Sequence, residues 1–96
     1  MFVHITLVKF KDSTTDQEID EIWQETHKLR KLKGVVDIRG GQNVSSNNDG
    51  FTHAIVVTCK QQEAFQKYRT ASARVTLRQR IEEIAEKYID VDFEDK

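Results

Sequence analysis

Two segments of the chain carry apolar side chains on both faces of an extended backbone. In residues 2–10 and 51–60, β-branched and aromatic residues predominate, and both alternating sets of side chains are largely apolar. A strand with this pattern is covered by protein on both sides. The sequence therefore predicts a sheet that has no solvated face. The set expected to face away from the helices comprises Val3, Ile5, Leu7, Ala54 and Val56.

Apolar residues recur at helical spacing in other segments. They predict an amphipathic helix over residues 15–32, a short helix over 61–69 and a further helix from about residue 72 to 88. Thr15 and Glu18 have the spacing of a capping box, which would begin the first helix. These segments alternate with the predicted strands along the chain.

The remaining strands are shorter or less apolar. Residues 35–43 predict a strand with a bulge or bend at Gly40 and Gly41. Residues 89–94 alternate between apolar and acidic side chains and predict a closing strand that is polar on one side. The order β-α-β-β-α-β predicts one α+β domain over residues 1–96, a four-stranded antiparallel sheet with its helices on one face. The apolar side of the closing strand comprises Ile89, Val91 and Phe93.

The uncovered side of the sheet predicts a homodimer. Its apolar patch would be larger than those that soluble monomers usually expose. A chain of 96 residues buries only roughly 60–65% of its unfolded surface. Its single cysteine, Cys59, allows no internal disulfide to compensate. We therefore expect two copies to pack sheet against sheet, since two-fold pairing is the commonest arrangement that covers such a face.

Charge and composition argue against several classes of partner. The 15 basic and 16 acidic residues give a net charge of −1, whereas a nucleic-acid-binding surface needs a basic stripe. No segment approaches the ~18 apolar residues of a membrane span, and no Cys or His pair has zinc-site spacing. The N-terminus lacks signal-peptide character. We expect a cytoplasmic protein without a membrane, metal or cofactor requirement, in which Cys59 is a small packing residue rather than a nucleophile.

Four segments, in order along nearly the whole chain, are similar to one known family. They are His4–Lys11, Gly41–Ser45, Asp49–Val57 and Asp90–Phe93. Together they resemble the stress-responsive α/β-barrel domain. The resemblance implies a ferredoxin-like subunit and a homodimer whose two sheets close into a dimeric α/β barrel.

The resemblance also implies a candidate site. The family includes stress-induced proteins without an assigned reaction, and a plant polyketide cyclase that works without metal or organic cofactor. In that cyclase a tyrosine and a histidine form an acid/base pair in a pocket between helices and sheet. The matching tyrosine is Tyr68, and the comparison places His4 in the pocket. The family's His-Pro-x-His reads Ala71-Ser72-Ala73-Arg74 here, and the permanently charged Arg74 cannot shuttle a proton near neutral pH.

Each candidate side chain also has a structural interpretation. We expect the first and third strands to be parallel neighbours, which would bring His4 and His53 together as general acid/base groups or as hydrogen-bonded core residues. Tyr68 is either a proton donor to a ligand or an amphipathic residue at a helix edge. Arg74 either binds a ligand anion or forms a surface ion pair. Trp23 is either core or a ligand platform.

Three functions remain open at this point. The first is binding of a small, partly apolar molecule between helices and sheet, with cofactor-free proton transfer at an enolisable carbonyl compound. The second is a non-catalytic stress or assembly protein, and the third, by fold analogy, is a cofactor-independent monooxygenase-like enzyme. His4, His53 and Tyr68 are the catalytic candidates. The predicted pocket lining is Thr6, Val8, Trp23, Thr26, Ile55 and Arg74.

Overall fold

The computed structural model describes residues 1–95, which form an antiparallel sheet covered by helices on one face. The strand order is β2-β3-β1-β4, so β1 and β3 are central. This is the predicted ferredoxin-like α+β arrangement. The elements are β1 (Phe2–Phe10), α1 (Asp16–Lys28), a 3-10 turn (Leu29–Lys31), β2 (Val35–Gln42), β3 (His53–Cys59), α2 (Gln62–Thr70), α3 (Ser72–Ile84) and β4 (Ala85–Glu94).

Helix α1 begins at the predicted capping box. The Thr15 hydroxyl accepts a hydrogen bond from the Glu18 amide at 3.1 Å, and the Glu18 carboxylate accepts one from the Thr15 amide at 3.0 Å. These contacts satisfy amides that have no partner within the helix. No helix within residues 1–95 has the length and apolar character needed to cross a membrane.

The two faces of the sheet differ in cover. Alternate residues of β1 are buried against the helices, and the core continues into β3 with Ile55, Val57 and Cys59. The opposite face carries the predicted apolar set at intermediate exposure. On β4, Ile89, Val91 and Phe93 lie in register with Leu7, Ile5 and Val3 and remain 48%, 44% and 42% exposed.

Three sequence-based expectations about the backbone are wrong. Strand β1 pairs with β3 antiparallel, not parallel. The register shift in β2 lies between Val35 and Asp37, not at the paired glycines. Helix α3 ends at Ile84, because Ala85 is extended and pairs with Phe10 at the start of β4. Pairing with β1 therefore overrides the helical spacing of apolar residues, which predicted that this helix continues to residue 88.

Candidate functional site

His4 lies on the helix-covered face of β1, with an aspartate beside it. The side chain is 4% exposed. Its cross-strand partner on β4 is Asp92, and Nδ1 of His4 is in hydrogen-bond contact with Oδ1 of Asp92. Because an ionised carboxylate only accepts hydrogen bonds, Nδ1 carries the proton and Nε2 is the free nitrogen of the neutral ring.

Two polar side chains, Thr6 and Asp90, lie near Nε2 of His4. The Thr6 hydroxyl lies 3.2 Å from Nε2 but donates its own proton to Oδ1 of Asp90 at 2.8 Å. When the His4 ring is neutral, the Nε2 lone pair therefore accepts no hydrogen bond from Thr6. In the protonated ring, Nε2–H can donate to the Thr6 oxygen, and the carboxylate of Asp90 lies 3.8 Å away.

Arg78 of α3 holds Asp90 in its ionised form. The two groups meet through a bidentate pair, with N–O distances of 2.8 and 3.2 Å. Partial burial works against ionisation of Asp90, but the hydrogen bonds from Arg78 and Thr6 outweigh it, and the pKa of Asp90 is lowered. Asp90 therefore keeps its negative charge near His4 at neutral pH.

Tyr68 of α2 supplies a hydroxyl group to the same region. The residue is 5% exposed, and the guanidinium group of Arg74 lies beside its ring and its hydroxyl. Burial raises the pKa of Tyr68 above its usual value of 10.0. The phenol therefore stays protonated at neutral pH and is available as a donor.

A small cavity lies between these groups. Its volume is about 20 Å³, which is room for about one water molecule. The lining includes the catalytic candidates His4 and Tyr68. Four predicted pocket residues also line it, and they are Thr6, Thr26, Ile55 and Arg74.

The cavity adjoins an open cleft of about 280 Å³. His4, Arg74 and Arg78 form walls of both. The rest of the cleft is lined by one aromatic residue, Phe65, and by four charged residues, Arg69, Glu82, Asp90 and Asp92. A ligand larger than one water would therefore lie mainly in the cleft and reach inward past Tyr68.

His53 does not reach this site, so the expected His4–His53 pair is wrong. In the antiparallel register His53 pairs with Val8, whereas His4 pairs with Val57, four positions along the strand. His53 packs edge-on against Phe10, with ring centroids 5.0 Å apart. Burial lowers the pKa of His53, so its ring is neutral at pH 7.

Two further predicted pocket residues lie outside the cavity. Val8 is fully buried in the core. Trp23 packs against the core and lies over Gly40 of β2. Cys59 is also fully buried, and burial raises the pKa of its thiol.

Sequence reasoning missed the acidic partners of His4. The alternation Ile-Asp-Val-Asp-Phe puts Asp90 and Asp92 on one side of β4, but their position opposite His4 depends on the β1–β4 register. Arg78 was missed as well, because its contact with Asp90 depends on how α3 packs beside β4. Within residues 1–95, no group of three His, Cys, Asp or Glu side chains is placed to hold a metal ion.

Residues 2–95 match the family model of the stress responsive A/B barrel domain. The chain belongs to this family. No curated protein sequence matches the chain. The expected resemblance is thus confirmed, and the stress responsive A/B barrel domain accounts for the order of strands and helices described above.

Solved structures share this barrel-domain fold at low sequence identity. The Arabidopsis thaliana protein At3g17210 is 21% identical with a TM-score of 0.90, covering 100% of this chain and 96% of its own. Hydroxynitrile lyase from Passiflora edulis is 18% identical with a TM-score of 0.89, and the match covers 96% of this chain and 90% of the lyase chain. A protein from Thermobifida fusca, described as dimeric and ferredoxin-like, is 16% identical with a TM-score of 0.84. The match covers 96% of this chain and 88% of the Thermobifida fusca chain.

Proposed function

We propose that this protein acts in the cytoplasm as a homodimer, and that each subunit binds a small, partly apolar molecule between helices and sheet. The bound molecule is an enolisable carbonyl compound, and the chemistry is proton transfer without a cofactor. His4 takes the proton from the carbon next to the carbonyl group, and Tyr68 donates a hydrogen bond to the carbonyl oxygen. Proton return to carbon completes the reaction.

One observation carries the catalytic part of this proposal: the two nitrogens of His4 have different environments. Asp92 fixes the ring through Nδ1, and the Thr6 proton is directed to Asp90 instead of to Nε2. A base must be oriented, and its lone pair must be free. Tyr68 lines the same cavity with a buried hydroxyl that stays protonated at neutral pH.

The outer face of the sheet supports the homodimer. Ile89, Val91 and Phe93 are each more than 40% exposed, and they extend the apolar surface of β1. Burying this surface against a second copy removes it from water, which is favourable by about 25 cal/mol per Å². The related protein from Thermobifida fusca is described as dimeric.

Hydrogen–deuterium exchange tests the chemistry directly. In D2O, we expect the protein to speed deuterium uptake at the α-carbon of 2-butanone or 2-oxobutyrate, followed by proton NMR. His4→Gln should lower this acceleration by at least roughly a hundredfold, the usual contribution of a general base. His27→Gln, which changes an exposed histidine of α1, should leave it unchanged.

Two results would contradict the proposal. One is exchange no faster with protein than without it for both probes. The other is equal exchange by the wild type and a folded His4→Gln variant, with folding checked by the thermal midpoint. In either case His4 is not the base.

The size of the cavity favours a second candidate function, that of a non-catalytic stress or assembly protein. About 20 Å³ is far below the ~300 Å³ of a typical ligand pocket. In this case the sheet-to-sheet dimer is the functional unit. Absence of binding and exchange for both probes, with a dimeric mass in light scattering, would select it.

A further inference from the structure

The cleft beside His4 is lined by three carboxylates and three guanidinium groups, but the carboxylates already have partners. Asp92 contacts His4, and Asp90 binds Arg78 and Thr6. Glu82 accepts a hydrogen bond from Tyr88 at 2.9 Å and lies 3.7 Å from Arg78. These carboxylates have partners other than the two remaining arginines of the cleft, Arg69 and Arg74.

Arg69 and Arg74 therefore lack an anionic partner. Within residues 1–95, neither guanidinium group has a carboxylate within 4 Å, so Arg74 does not form the surface ion pair that was one sequence-based interpretation. Its guanidinium carbon lies 5.7 Å from the centre of the Tyr68 ring. This contact holds the positive charge at the mouth of the cavity, beside the hydroxyl of Tyr68.

The position of Arg74 in its helix is electrostatically unfavourable. Helix α3 begins at Ser72, its N-cap Ala71 offers no side-chain hydrogen bond, and its first turn has no acidic residue. A cation there faces the positive end of the helix dipole. A bound anion would stabilise both the arginine and the uncapped first turn.

We infer that the ligand is a small oxo acid, whose carboxylate binds Arg74, assisted by Arg69, and whose carbonyl group enters the cavity between Tyr68 and His4. The cavity admits a group about the size of one water molecule, which suits a carbonyl oxygen and little more. The charged remainder lies in the cleft. This inference rests on the proposed function, since it names the substrate class of the same site.

The reaction needs no further reagent. The α C–H bond breaks, the proton moves to Nε2 of His4, and the bonding electrons form the C=C bond of an enolate. The enolate oxygen carries the charge and accepts a hydrogen bond from Tyr68. Return of a proton to the α-carbon restores the keto form, and in D2O this step delivers deuterium.

Matched probes test the role of the carboxylate. We expect 2-oxobutyrate to bind at least about tenfold more tightly than the neutral 2-oxobutanamide, as measured by NMR titration. Arg74→Gln should remove this preference. Arg80→Gln makes the same change of charge on α3 at a residue that lines neither the cavity nor the cleft, and it should keep the preference. Thermal midpoints verify that both variants are folded.

The outcomes separate this inference from the proposed function. Equal affinity for acid and amide, or an undiminished preference in folded Arg74→Gln, overturns the oxo-acid assignment. If His4-dependent exchange of 2-butanone then persists, the proposed proton transfer stands without it. Conversely, Arg74-dependent binding of 2-oxobutyrate without any exchange supports the anion site and rejects His4 as a base.

Discussion

At the scale of single residues, the site is a chain of polar contacts that ends at a fixed charge. His4 meets Thr6, Thr6 donates to Asp90, and Asp90 binds Arg78. Arg78 carries its charge at every relevant pH, so it keeps Asp90 ionised and the Thr6 proton directed away from His4. The orientation of the Thr6 hydroxyl beside His4 is therefore set in part by an arginine that lies in a different element, α3.

Asp90 should also make stability depend on pH in the acid range. Its pKa is lowered in the folded protein, whereas an unfolded aspartate titrates near 3.9. The stabilisation is therefore complete above the unfolded value, and it is lost as pH falls through the folded value. We expect Asp90→Asn to lower the free energy of unfolding by about 1 kcal/mol at pH 7, a modest effect because solvent screens this half-exposed pair.

Urea denaturation at pH 7, 4 and 3 measures this effect. The difference between wild type and Asp90→Asn should shrink toward the lowest pH. Asp20→Asn, at an exposed position of α1, should change stability by less than about 0.5 kcal/mol at each pH. A difference for Asp90→Asn that stays constant from pH 7 to 3 would rule out the ionised pair as its source.

The sequence indicated part of this site and could not indicate the rest. His4 and Tyr68 were found because they resemble positions of a known acid/base pair. Asp92 was not found, because its place opposite His4 depends on a pairing register that local patterns do not contain. His53 was misplaced for a related reason, since a wrong strand direction moved it to the wrong end of the sheet.

At the scale of elements, the close approach of α1 to β2 depends on the absence of a side chain. A Cβ atom added at Gly40 would lie 2.6 Å from Cζ3 of Trp23 and would also collide with the carbonyl oxygen of Ala54. The adjacent Gly41 has nothing within 4 Å of that point. The sequence suggested a bulge at these glycines, but Gly40 makes room for the indole ring.

Alanine substitutions at Gly40 and Gly41 should therefore change the free energy of unfolding by different amounts or in opposite directions. Gly40→Ala should lower the free energy of unfolding by about 1–3 kcal/mol, the usual cost of overpacking. Gly41→Ala should be neutral or slightly stabilising, because alanine loses less conformational freedom in a strand than glycine. Equal midpoints for the two variants in urea denaturation would show that the indole ring does not limit this position.

At the scale of the whole molecule, the open face of the sheet is the main unsatisfied surface. The sequence predicted it, because strands that are apolar on both sides need cover on both sides, and periodicity alone reports that need. Helices cover one face only. A second copy of the chain is the cover that the sequence predicts for the other face.

A charge in the middle of this face tests the dimer. Val91 pairs with Ile5 in the middle of the open face. A lysine at this position would place a buried and unpaired ammonium group between the two sheets of the dimer. We expect Val91→Lys to weaken association by about 3 kcal/mol, over a hundredfold in Kd. Light scattering at micromolar concentration should then give a monomeric mass for the variant and a dimeric mass for the wild type.

The control for this experiment lies on the helix side of the sheet. Val75 of α3 is 39% exposed, so Val75→Lys adds the same charge away from the open sheet face. It should remain dimeric. A monomeric wild type, or a Val91→Lys variant that stays dimeric, would show that the open face is not the subunit interface.

The contact between His4 and Asp92 also has a consequence for synthesis in the cell. The two residues are 88 positions apart, and β4, which carries Asp92, is translated after every other element described above. At about 5–20 residues per second, roughly 4–18 seconds separate their translation. During this time the nascent chain contains the histidine without its carboxylate, so a product of premature termination before residue 85 keeps His4 but lacks Asp92.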